Sequence, residues 1–83
     1  MGEWIDELAV AVGQPPLTPD EAGEILRVAR EVAHRIERKA TPLAAFLLGL
    51  DVAGRIAGGD SRATAVEASS ADLDRLLPAP DGG

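Results

Sequence analysis

The chain has 83 residues, no cysteine and a formal net charge of −6. These figures exclude a disulfide framework, a thiolate metal site and a dominant grip on nucleic acid, whose affinity depends on basic groups neutralising phosphates. A single domain of this size is below the comfortable limit for a lone core, and fifteen Ala with only two aromatics, Trp4 and Phe46, leave that core little area per residue.

A first helix is predicted over about residues 2–12. Trp4, Ile5, Leu8 and Val12 recur at helical spacing, and Glu3, Asp6 and Glu7 sit in the early turns, where the macrodipole favours acids. Trp4 is expected to anchor the core. Gly13 is a helix stop, and Pro15-Pro16 forbid continuation. The acidic start lacks the basic-then-apolar order of a signal peptide, and Asp6 stands where myristoylation needs Ser or Thr.

The second helix is expected over 19–39. Thr18-Pro19-Asp20-Glu21 supplies an N-cap hydroxyl, a proline at the first helical position and the acid of a capping box. Ala22, Ile25, Leu26, Ala29, Val32, Ala33 and Ile36 form one apolar stripe. Acids lead this helix, and Arg35, Arg38 and Lys39 end it, in the sense the dipole favours.

Thr41-Pro42 repeats the cap-and-proline device, predicting a third helix over 42–57 that ends at Gly58-Gly59. Leu43, Phe46, Leu47, Leu50 and Gly54 share one face; Leu48, Val52 and Ile56 share the opposite one. A helix apolar all round belongs at the centre of its domain or in an oligomer seam. The apolar run Pro42–Leu50 is nine residues long, against about 20 for a membrane span. A soluble, cytoplasmic chain without membrane attachment is expected.

A fourth helix is predicted over 61–77, capped by Asp60 or Ser61 and anchored by Val66, Leu73, Leu76 and Leu77. Ser69 with Asp72 reads as a second cap, so a break there is an option. Together the elements predict an all-α, compact bundle of four helices, third helix central, occupying 1–77 as one domain. Residues 78–83 are expected to form a disordered tail.

The best candidate site is the outer face of the second helix. His34 lies opposite Ile25, flanked by Arg27, Arg30, Glu31 and Arg38. Arginine forks there suit a phosphate or a partner's acidic patch. The competing reading is a solvated face with Arg27–Glu31 and Glu31–Arg35 pairs. With one His and no tight carboxylate cluster around it, neither a metal site nor a cofactor is expected. No Ser or Thr has a base in evident reach, so catalysis is not expected either. Leu48, Val52 and Ile56 form the candidate apolar interface, with coverage by the fourth helix as the equal alternative.

Ala29-Arg30-Glu31-Val32-Ala33-His34, followed by Pro42-Leu43, Phe46-Leu47, Gly49 and Gly54-Arg55, resembles a known family. It is similar to the small helical domain of unknown function from high-GC (actinobacterial) bacteria, found alone or fused to molybdenum cofactor guanylyltransferase. Arg35 departs from the pattern, which often has Gly there, and residues 14–17 are unusually rich in Pro. The resemblance implies an association with molybdopterin-guanine dinucleotide biosynthesis. It adds Arg55 to Arg30, Glu31 and His34 as candidate site residues. The leading expectation is a non-catalytic accessory domain that docks on another protein, such as a molybdenum cofactor maturation enzyme. A homodimer is a further option. The alternative is a small-ligand binder holding a nucleotide or pterin phosphate on the basic stripe.

Overall fold

Side-chain caps and left-handed glycines set four of the eight helix ends. The computed structural model describes residues 2–80, in the order α1 (Gly2–Ala11), α2 (Pro19–Arg35), α3 (Ala40–Ala57) and α4 (Arg62–Leu76). Thr18 Oγ1 accepts from the Glu21 amide at 3.1 Å, and Glu21 Oε1 accepts from the Thr18 amide at 2.9 Å. That is the predicted capping box in full. Ser61 caps α4 by accepting from the Thr64 amide at 3.2 Å. Gly13 (φ 77°) and Gly59 (φ 115°) take the left-handed conformation that lets the chain leave α1 and α3.

The turn between α2 and α3 departs from the expectation. α2 ends at Arg35, and Ile36 (φ −111°, ψ −86°) is already outside the helix. Arg38 and Lys39 therefore belong to the reversal, which is held by Ala40 N–H bonding Glu37 O at 3.1 Å and Thr41 N–H bonding Arg38 O at 3.2 Å. Lys39, not Thr41, occupies the N-cap of α3 and makes no side-chain cap. Thr41 lies inside the first turn, and its hydroxyl donates instead to Ala29 O on α2, at 3.5 Å. Pro42 is tolerated beside it, because first-turn amides have no intrahelical partner to lose. The tighter reversal lets α3 return directly along α2.

α2, α3 and α4 pack on one another, with α3 in the central position expected of it. α4 is one continuous helix: Ser69 does not cap a second segment but faces α3 from within. The core consists of Val28, Val32, Leu48, Ala65 and Val66, with Ala9 of α1 buried as well. Val28 falls outside the stripe read from the sequence, while Leu26 and Ile36, both in that stripe, are about half exposed (52% and 53%). The buried side of α2 is turned because α2 serves two neighbours. Val28 sits between the residues that bond α4 (Glu21, Arg27) and those that face α3 (Ile25, Ala29).

α1 stands apart. Among the described residues, no Cα of α1 comes within 8 Å of a Cα in another helix, whereas close-packed helix axes lie only about 8–10 Å apart. Trp4, expected as a core anchor, is exposed, as are Leu8, Val10 and Val12. The expected tail is irregular and exposed at Pro78–Pro80; its remainder, 81–83, lies outside the described residues.

Candidate functional site

The basic stripe is dispersed by the fold. Arg27 turns away from His34 toward Glu24 on its own helix (Nε–Oε1 2.8 Å) and Asp74 on α4 (Nη2–Oδ2 2.8 Å). Those two carboxylates push its pKa up, and Arg27 in turn holds the Glu24 carboxyl below its usual range. Arg38 is off the helix altogether. Arg55 sits across the molecule, paired with Asp51 on α3 and Asp72 on α4. What the fold does bring together is Arg30, Glu31 and His34. With Arg35 and Pro80 they line an open cleft of about 540 Å³. Glu31 is engaged there by Arg35 at 2.8 Å, a charge contact not aligned as a hydrogen bond.

The strongest polar constellation involves a residue the sequence did not single out. Arg62, first residue of α4, donates from Nε to Glu21 Oε2 (2.8 Å) and from Nη2 to Glu21 Oε1 (2.7 Å). Its two Nη groups also reach the Pro15 and Pro16 carbonyls at 2.8 and 2.7 Å. One guanidinium thus fastens the α1–α2 linker, the start of α2 and the start of α4. Glu21 is only 5% exposed. The hydrogen bonds from Arg62 lower its carboxyl pKa to about 2 against the opposing effect of burial, and the Thr18 amide assists. Two turns further along α4, Ser69 donates to Asp51 Oδ2. This bond, with Arg55 second, draws the Asp51 pKa down. These groups are structural fasteners. Among the described residues, no set of three or more His, Asp or Glu is placed to hold a metal.

Capping-box logic identified Glu21 but not its second partner. Residue 62 lies 41 positions away, and no local periodicity links them. The two Pro carbonyls carry a weak hint, since a Pro-Pro linker leaves carbonyls with no helical amide to satisfy them.

The apolar candidates resolve into two groups. Leu48 is 8% exposed and lies in the intramolecular core against Ile25, Val28 and Val32. Val52 is half-buried, and Ile56 is 39% exposed near Gln14, Pro15 and Arg62. Leu48 therefore takes the monomer-core alternative. The opposite face of α3 is the bare one: Leu43, Phe46, Leu47 and Leu50 are 68%, 68%, 64% and 56% exposed. By length and composition α3 is apolar enough to cross a membrane, yet its two charges, Asp51 and Arg55, are committed to α4. A second apolar surface is the groove of about 320 Å³ between α1 and α2, lined by Ile5, Leu17, Ala22, Ile25 and Leu26.

A family model described as a domain of unknown function, DUF6457, matches residues 1–82. No curated protein and no solved structure matches the chain. The chain belongs to the DUF6457 family.

Proposed function

For this DUF6457 member we propose a non-catalytic interaction domain that works by docking on another protein. The carrying observation is an inversion of side-chain size. The interior is built from Ala, Val, Ser and one Leu, while Trp4, Leu26, Leu43, Phe46, Leu47 and Leu50 are on the surface. Exposed large side chains grouped on one helix face are the usual mark of a partner surface. The polar clusters support the same reading. Arg27, Arg55 and Arg62 neutralise carboxylates inside the domain rather than lining a reaction site. The sequence resemblance supports a molybdenum cofactor maturation enzyme as the partner.

The test is retrieval of partners by the tagged chain from its native cytosol, with mass spectrometric identification. A cofactor-maturation enzyme should be recovered, and recovery should fall with Trp4→Ser or Leu26→Ser while helicity is unchanged. Equal recovery with both variants would sink the apolar docking surface. The cleft of Arg30, Glu31 and His34 supports a second reading, a binder of nucleotide or pterin phosphate. Titration with guanine nucleotides and with pyrophosphate should then shift the Arg30 and His34 amides specifically; unshifted resonances at millimolar ligand refute it.

A further inference from the structure

We propose that the outer face of α3 is the seam of a symmetric dimer, its occupant the same face of a second copy, packed antiparallel. The inference rests on the interaction-domain reading and assigns one of its two surfaces, leaving the α1–α2 groove for a different protein.

Four observations carry it. The first is self-complementarity. Leu43, Phe46, Leu47 and Leu50 are symmetric in spacing about the point between 46 and 47. A two-fold axis through that point sets Leu43 against the partner copy's position 50 and Phe46 against its position 47. Every large residue on the face then meets a large apolar residue, as an isologous contact requires. No charged residue occurs from Ala40 to Leu50.

The second observation is exposed area. A folded monomer of 8.6 kDa is expected to expose about 4,700 Å², and this chain exposes 5909 Å². Part of that excess belongs to the exposed segment Pro78–Pro80. The exposed α1 and α3 faces contribute to the rest, and a standard interface hides only about 800 Å² per partner.

Gly54 supplies the third. It lies within α3 on this same face, where glycine weakens a helix. A Cβ built on it would meet nothing in this chain within 4 Å. No intramolecular packing explains it, while a second copy approaching closely would use the space. Charge placement is the fourth. The same axis sets the Arg38–Lys39 turn beside the last turn of the partner copy's α3, where the negative end of the helix dipole favours cations and Arg55 is already neutralised by Asp51 and Asp72.

Light scattering after size exclusion, on the full chain at tens of micromolar, reads the state directly. The expected mass is twice 8.6 kDa, returning to the monomer value with Phe46→Glu while the far-ultraviolet spectrum stays helical. Register is read separately, so that a poorly folded Phe46→Glu leaves the proposal testable. The chain has no cysteine, so Leu43→Cys and Leu50→Cys can be made singly and mixed. Oxidation of the mixture should join one of each. Either variant alone should cross-link poorly, because like positions lie about 10 Å apart along the seam, beyond the reach of a disulfide. A monomeric mass overturns the proposal without touching the pull-down result. A dimer that survives Phe46→Glu, or cross-links equally in the unmixed variants, also overturns it. So does the capture of a cofactor-maturation enzyme by a monomer through these same four residues.

Discussion

Two surfaces of α3, a third of a helical turn apart at their nearest residues, obey different rules. Leu48 is 8% exposed and Leu47 64%. On the α4 side, the partners are small: Ala65, Ser69 and Ser70 are buried outright, and Asp51 and Arg55 bond across the gap to Ser69 and Asp72. On the outer side the residues are large and exposed. A small-residue interface lets helices come close and puts specificity into hydrogen bonds. It buries little apolar area, so it contributes modestly to stability. The large side chains that would contribute most are held outside, where they add little to folding.

The comparison breaks most visibly at adjacent positions. Leu48→Ala should cost about 2–4 kcal/mol in urea unfolding, the loss typical of a buried Leu. Leu47→Ala, measured at concentrations low enough to hold the chain monomeric, should cost no more than about 0.5 kcal/mol. Equal losses would mean that the outer face is also packed within one chain.

Next in size is the Arg62 clasp. Arg62→Ala leaves the Glu21 carboxylate buried without its main partner, and a loss of about 2 kcal/mol is expected, since Arg62 itself is partly solvated. The Glu21→Gln, Arg62→Ala double variant should recover part of that loss, because no uncompensated charge remains. Additive losses in the two variants would refute the coupling.

Acid titration sharpens the same point. The Glu21 pKa is lowered from 4.5 to about 2 in the folded chain, so the unfolded chain takes up the proton first. Its stabilising contribution is complete above about pH 4.5 and is lost as pH falls toward about 2. Denaturation midpoints recorded across that window should decline in the parent, and the decline should be shallower in Arg62→Ala. An identical slope in the two proteins would assign the acid sensitivity to other carboxylates.

The smallest effect belongs to Ser70. It is fully buried, and its hydroxyl, near the Glu24 carboxylate, makes no aligned hydrogen bond. Ser70→Ala removes an unpaired polar group at little change in volume. It should raise stability by about 1 kcal/mol in thermal unfolding. A loss instead would show that the hydroxyl is bonded in solution.

What the sequence made legible was local. Thr18 and Glu21 form their capping box, Ser61 caps α4, and Gly13 and Gly59 release their helices, because each device acts within four residues of itself. Periodicity separated the two faces of α3 correctly for the same reason. It did not say which face was covered, since both are apolar and burial depends on where α2 and α4 dock. Trp4 and Val28 were misread from a general preference, and neighbours outranked it: α1 turns Ala9 inward and leaves Trp4 exposed, and α2 turns to meet two helices at once. The basic stripe likewise existed as spacing on a helix. Tertiary structure took Arg27 to Asp74, ended α2 before Arg38 and left Arg55 on another helix.

The sequence by itself thus determined the all-α class, the number and order of helices and most of their ends, through capping, proline and glycine chemistry that needs no distant residue. Only the tertiary structure decided which leucines are core, that Arg62 fastens Glu21, and that the outer face of α3 is bare. Those outcomes depend on contacts between residues tens of positions apart, and the free energy of such contacts is set by which helices meet.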